Sequence, residues 1–81
     1  MSRLRVLVFA RYAELLGADA VEVELSGAPT VRDVVDALRQ LPGGGLLPPA
    51  PLVAVNLQQA DPDRPVSPVD EVALLPPLAG G

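Results

Sequence analysis

Val21-Glu22-Val23-Glu24-Leu25-Ser26-Gly27-Ala28-Pro29-Thr30-Val31-Arg32-Asp33-Val34-Val35-Asp36-Ala37-Leu38-Arg39-Gln40 changes its hydrophobic period in the middle, and that change decides the fold class. Up to Leu25 the apolar residues recur at every second position. Val21, Val23 and Leu25 fall on one face and the two glutamates on the other, the pattern of a half-exposed strand. Ser26-Gly27-Ala28-Pro29 breaks it. From Thr30 the spacing becomes helical. Val31, Val34, Val35, Leu38 and Leu41 form one apolar stripe, with Arg32, Asp36, Arg39 and Gln40 off it. Thr30 suits an N-cap, Asp33 stands at the acid position of a capping box, and Pro42-Gly43-Gly44-Gly45 ends the helix.

On the amino-terminal side, residues 4–9 read as another strand, with Leu4, Val6 and Val8 on one face and Arg3, Arg5, Leu7 and Phe9 on the other. A short helix over residues 10–16 comes next and stops at Gly17. On the carboxyl side, residues 43–51 are rich in Gly and Pro. No strand precedes them, no helix opens after them and no Lys-Ser/Thr follows, so they predict a mobile connector rather than a phosphate cradle. Residues 52–57 predict a third, central strand, Asn56 to Gln59 a turn into a short strand near Gln59-Ala60, and residues 71–75 the last strand. This order predicts an α+β fold, the β-grasp: a mixed sheet with one main helix packed across it and the first and last strands as central neighbours. Residues 1–75 then make the domain and residues 76–81 a flexible tail.

Composition narrows the chemistry. The 81 residues contain no Cys and no His, and all six basic residues are Arg. Disulfides, the usual zinc sites, thiol nucleophiles and imidazole acid–base catalysis are therefore absent. The serines, Thr30 and Tyr12 have no His or Lys to activate them, and the carboxylates of Asp61, Asp63, Asp70 and Glu71 lack a ligand constellation, so the chain reads as no enzyme on its own and as binding no metal. A net charge of -4 argues against nucleic acid as a partner and is compatible with a basic protein surface. The apolar run after Met1-Ser2-Arg3-Leu4-Arg5 is too short for a signal-peptide core or a membrane span, which reads as a cytoplasmic protein with no membrane partner.

One group has unusual potential. The sequence ends Pro76-Pro77-Leu78-Ala79-Gly80-Gly81. Two prolines stop the preceding strand and project the last four residues outward, and side chains shrink towards the end, so a slim tail could thread a narrow tunnel. A carboxylate is unreactive towards nucleophiles at neutral pH. Adenylation by ATP would make it a mixed anhydride, and sulfur transfer would then give a thiocarboxylate. The absence of lysine means that no side-chain amine of the chain could attack an activated terminus, although an Arg-, Pro- and Ala-rich composition also reflects coding bias.

Val6-Leu7-Val8-Phe9-Ala10, Glu14-Leu15-Leu16-Gly17, the helix start Thr30-Val31, Val53-Ala54-Val55-Asn56, and Asp70-Glu71-Val72-Ala73-Leu74-Leu75-Pro76-Pro77-Leu78-Ala79-Gly80-Gly81 together resemble the small, sulfur-carrier subunits of molybdopterin synthase, a ubiquitin-related family. The resemblance runs through nearly the whole chain, and the ending is its specific part. It implies a β-grasp fold and a cycle in which a ubiquitin-activating-like adenylyltransferase uses ATP to adenylate Gly81 and a sulfurtransferase converts it to the thiocarboxylate. The large catalytic subunit then accepts the tail within a heterotetramer of two small and two large subunits. Sulfur passes to cyclic pyranopterin monophosphate. No cofactor is implied to bind stably. The only modification is a C-terminal 1-thioglycine. By position, Gly81 carries the sulfur, Gly80, Ala79 and Leu78 give access, and Pro76, Pro77, Leu75, Phe9 and Arg11 meet the partner.

The chain departs from the family pattern in places. Ala13 stands where an Arg is frequent, with Arg11 two residues earlier. Gln59 occupies a position that is often apolar, and Pro and Gly replace a polar helical segment after the main helix. Val69 replaces the Gly before Asp-Glu-Val, which predicts a different turn there. The competing readings are a thiamine-pathway sulfur carrier, a ubiquitin-like protein modifier, and a plain interaction domain with no chemistry.

Overall fold

The computed structural model describes residues 2–76. Five strands and two helices run in the order β1 (Ser2–Val8), α1 (Ala10–Leu16), β2 (Ala20–Leu25), α2 (Val31–Arg39), β3 (Leu52–Val55), β4 (Gln58–Gln59) and β5 (Val72–Leu75), with a 3₁₀ turn at Gly44–Leu46. The sheet order is β2-β1-β5-β3-β4. β1 and β5 are parallel neighbours in the middle of the sheet, and every other pairing is antiparallel. This is the β-grasp arrangement that the element order predicts.

The core lies on one face of this sheet. Leu4, Val6 and Val8 of β1, Val53 and Val55 of β3, and Val72 and Leu74 of β5 meet the α2 stripe of Val31, Val34, Val35 and Leu38. Tyr12, Leu47 and Val66 fill its margins. The alternation read from the sequence is the physical cause: strand positions of one parity bury apolar surface under α2, and the other parity faces out. Of the β2 positions expected inward, only Val23 is fully buried. Val21 and Leu25 are half-buried, because β2 is an edge strand.

The α2 cap forms as expected. The Asp33 carboxylate accepts the Thr30 backbone N–H at 2.8 Å and the Thr30 hydroxyl at 3.2 Å. The irregular stretch before β5 serves the same helix end. Its carbonyls at Arg64 and Pro62 accept the otherwise unpartnered N–H groups of Val31 and Arg32, both at 2.9 Å. Arg32 adds an ion pair to Asp63 at 2.6 Å.

Three expectations need correction. Residues 43–51 are not a loose connector. The 3₁₀ turn packs against the ends of both helices, Leu47 is in the core, and the Arg39 guanidinium donates to the carbonyls of Leu47 (2.9 Å), Pro48 (2.5 Å) and Pro49 (2.8 Å). Gly43 and Gly44 make that packing possible, since a Cβ on either would sit 1.9 Å from a carbonyl oxygen, of Leu15 or Leu38 respectively. The first strand ends at Val8 rather than at residue 9, and Phe9 becomes the N-cap of α1. The third strand ends at Val55, because Asn56 (φ 53°) and Leu57 (φ 71°) form a tight two-residue turn into β4. Among the described residues, the non-glycine positions of positive φ are Ala10, Asn56 and Leu57, so Val69 avoids the strained region.

Candidate functional site

The site is built where β5 leaves the sheet. β5 runs between β1 and β3, and its last residue, Leu75, lies opposite Leu52 of β3. On the other side the parallel register sets Val8 beside Leu74, so Phe9, which follows Val8, lies at the end of the sheet from which Leu75 and Pro76 leave. Leu75, Pro76 and Leu52 are half-buried, and Phe9 is 44% exposed, a large apolar surface left open at the exit. A base of two central strands, each hydrogen-bonded on both sides, holds this point firmly.

The sheet face away from α2 continues the same surface. Cross-strand register aligns Ala20, Leu7, Ala73, Ala54 and Gln59 in one row across all five strands. Ala54 and Ala73 are each only 9% exposed yet do not belong to the core cluster. They stand side by side in this row, with Leu7 next to Ala73 and the Leu52–Leu75 pair two residues along the strands. Further from the exit the face turns charged. Arg5 stands opposite Glu22, and Arg3 donates to the Glu24 carboxylate at 2.9 Å. An apolar area at the tail root, bounded by charge, has the anatomy of a protein-docking surface.

At the opposite end of β5 the electrostatics are structural. The Asp70 carboxylate accepts the Asn56 side-chain amide at 2.9 Å and the Ser67 backbone N–H at 2.8 Å. These bonds, the Asn56 amide foremost, hold Asp70 below the ordinary carboxylate pKa, and Arg64 at 3.9 Å adds to them. No grouping of three or more metal-ligating side chains exists among the described residues. A groove of about 300 Å³ runs between α2 and β3–β4. Its guanidinium groups are engaged elsewhere, Arg32 with Asp63 and Arg39 with backbone carbonyls, and its walls are mostly aliphatic and proline.

Of the residues singled out from the sequence, the structure brings Phe9, Leu75 and Pro76 together at the exit. Arg11 lies exposed in the first turn of α1, just beyond Ala10. Pro77, Leu78, Ala79, Gly80 and Gly81 lie outside the described residues. Leu52, Ala54 and Ala73 were not singled out. Strand parity sets them on the face opposite Val53, Val55 and Val72, but β3 and β5 are apolar at every position, so no alternation in the sequence marks that face.

Comparison with known proteins places this geometry in context. The ThiS family pattern matches residues 6–81. The molybdopterin synthase sulfur carrier subunit of Escherichia coli (strain K12) is 39% identical over 90 residues, spanning 96% of this chain and 99% of that protein. Among solved structures, molybdopterin converting factor, subunit 1 from Pyrococcus furiosus superposes with a TM-score of 0.83 at 25% identity, covering 96% of this chain and all of that one. SAMP1 from Haloferax volcanii superposes with a TM-score of 0.81 at 30% identity, covering 99% of this chain and all of that one.

Proposed function

This chain belongs to the ThiS family, and we propose that it is the sulfur carrier of a molybdopterin synthase, with Gly81 as the group that carries the sulfur. The observation that supports this most directly is the place of β5: this central strand is the last described element of the fold and leads directly to Pro76, beside an apolar face able to seat a partner, and the Gly-Gly ending follows in the sequence.

The chemistry starts from the tail. The Gly81 carboxylate attacks the α-phosphorus of ATP on a ubiquitin-activating-like adenylyltransferase, and pyrophosphate leaves. Sulfur delivered by a sulfurtransferase then displaces AMP from the acyl carbon, leaving a thiocarboxylate. This chain supplies no acid, base or metal to either step. Its residues offer a carboxylate on a slim lead and a surface that fixes where the lead begins. The large catalytic subunit docks on Phe9, Leu75, Pro76 and the Ala54–Ala73 pair, with Arg11 and Pro77 at the margin. Leu78, Ala79 and Gly80 then pass into its pocket, and sulfur is transferred to cyclic pyranopterin monophosphate. Two carriers and two large subunits make the complex. Among the described residues no helix is long and apolar enough to cross a membrane, and we place the cycle in the cytoplasm.

The test is intact mass after incubation with ATP, a sulfur donor, the matching adenylyltransferase and the sulfurtransferase. The expected result is the mass gain of one oxygen-to-sulfur exchange, mapped to Gly81 and lost when Gly81 is deleted. Conversion of precursor by the large subunit then separates this role from that of a thiamine-pathway carrier. An unchanged mass with every cognate activating enzyme overturns the proposal.

A further inference from the structure

β2 ends the sheet on one side, and its outer side is a complete pairing edge. The Val8 N–H donates to the Asp19 carbonyl at 2.9 Å, one step beyond the β1–β2 register. Hydrogen-bonded pairs alternate along an antiparallel ladder, so Val21, Val23 and Leu25 turn their backbone groups towards β1. Ala20, Glu22 and Glu24 turn theirs away from the sheet. Among the described residues no turn, cap or side-chain hydrogen bond meets these groups. Folded proteins blunt such edges with short strands, Pro, Lys or bulges. The other edge strand, β4, is two residues long. β2 has six residues, an unbroken register and neither Pro nor Lys.

Charge selects what fits there. On the helix side a shallow depression between β2 and α2 is lined by Leu25, Ser26, Asp33, Asp36, Ala37 and Gln40. Among the described residues neither aspartate has an ion-pair partner, because Arg32 pairs with Asp63 and Arg39 donates to the carbonyls of Leu47, Pro48 and Pro49. On the other side of the strand Glu22 and Glu24 are exposed along the edge, and of the two only Glu24 is in an ion pair, with Arg3. A second copy of β2 fits poorly. Where outward backbone groups meet and overlap is greatest, an antiparallel copy sets Glu22 opposite Glu22 or opposite Glu24. Like charges directly opposite destabilise a strand pair. A strand bearing Arg or Lys meets opposite charge instead.

We propose that the free edge of β2 takes an extended segment of a partner protein as an added strand, one in which Arg or Lys alternates with apolar residues. Its backbone pairs with Ala20, Glu22 and Glu24, which supplies affinity, and its side chains supply selection. The basic side chains lie beside Glu22 and Glu24. The apolar ones lie on the helix side, against Leu25 and Ala37, within the negative field of Asp33 and Asp36. The edge is two strands away from β5, about 10 Å across the sheet. A partner held there leaves the surface at the end of β5 open to another. The proposal goes beyond the sulfur-carrier reading and does not depend on it.

The probe is a capped synthetic peptide, Arg-Val-Lys-Val-Arg-Val, titrated to millimolar concentration into the isotope-labelled full chain. Amide resonances and their hydrogen exchange are followed by NMR. At saturation the amides of Ala20, Glu22 and Glu24 are expected to shift and to exchange at least about fivefold more slowly. Those of Val21, Val23 and Leu25, already in the ladder, are expected to change little in exchange. Glu22→Lys, a change at an exposed side chain, is expected to weaken binding at least about threefold while the dispersed spectrum of the fold persists. The same peptide with Glu at its basic positions is expected not to bind. No binding of the basic peptide overturns the proposal. So do changes confined to other residues, equal binding of the acidic peptide, or unchanged affinity in Glu22→Lys. A dimer in sedimentation that protects the same three amides also overturns it and assigns the edge to a second copy.

Discussion

The Asn56 side chain and the Asp70 carboxylate form a clasp between β3 and β5: the Asn56 amide donates to Asp70 Oδ1 at 2.9 Å, and its carbonyl oxygen accepts the Glu71 N–H at 2.9 Å. The Asn56 backbone N–H also donates to the Glu71 carbonyl at 2.8 Å. The clasp closes the sheet at the end opposite the tail. It gives a structural reason for the Val-Asn and Asp-Glu pairs, fourteen residues apart at their nearest contact, to occur together in this chain.

Because Asp70 titrates below its ordinary value in the folded chain, the stability it contributes is full above the unfolded-state carboxylate pKa. It is lost as pH falls through the lower, folded-state pKa. Asp70→Asn removes that dependence. Thermal unfolding measured from neutral pH into the acid range should show a shallower acid decline for Asp70→Asn than for wild type. Parallel curves would mean that the clasp carries no charge-linked stability.

Leu57 is a stabilisation target. It is 87% exposed and holds φ at 71°, the second residue of a turn in which both central residues have positive φ. Such turns favour Gly at this position, and the left-handed region costs a side-chain-bearing residue about 1–2 kcal/mol. Part of the gain returns as unfolded-state entropy of the glycine. Leu57→Gly should raise stability by about 0.5–1 kcal/mol, seen as a higher urea midpoint with an unchanged slope.

The three glycines after α2 should separate sharply. Gly43→Ala and Gly44→Ala each drive a Cβ to 1.9 Å from a backbone carbonyl oxygen, and Gly43 also has φ at 85°. Neither neighbour is a flexible side chain, so each should cost about 2–3 kcal/mol. Gly45→Ala meets nothing within 4 Å and should stay within about 0.5 kcal/mol of wild type. Equilibrium denaturation of the three variants checks the order.

These glycines also mark where sequence reading stopped. The period change between Leu25 and Val31 and the apolar parity of residues 4–8 identified the sheet, the main helix and the inward faces, because amphipathic alternation is a local property. A Gly-Gly-Gly run looks the same whether it is loose or pressed against two helix ends. The difference lies in Leu15 and Leu38, which only the tertiary fold brings there. The Arg39 clamp on Leu47, Pro48 and Pro49 is hidden for the same reason, since a helix arginine off the apolar stripe reads as solvated. At the candidate site, Phe9, Leu75 and Pro76 were named from the resemblance, and the strand register sets them at one end of the sheet. The Leu52–Ala54–Ala73 surface was not, because small residues on an outer face carry no signal until the strand order makes them neighbours.

If the open face seats the large subunit, charge placed on it should break docking and leave the fold intact. Ala73 sits in the central strand, opposite Ala54 and beside Leu7, and faces away from the core that Val72 and Leu74 enter. In Ala73→Glu the new side chain points out of the sheet, so the stability cost should stay below about 1.5 kcal/mol. The same carboxylate would be desolvated without a partner in the complex, and affinity for the large subunit should fall at least about tenfold. Arg3→Ala, in the charged half of the face, removes an ion pair whose side chains are 62% and 52% exposed and should change affinity little. Titration calorimetry with the large subunit reads both. Adenylation at Gly81 should survive Ala73→Glu if the activating enzyme grips mainly the tail, and should fall with docking if it uses the same face. Equal affinity of wild type and Ala73→Glu for the large subunit would remove the face from the interface and leave the tail as the sole point of engagement.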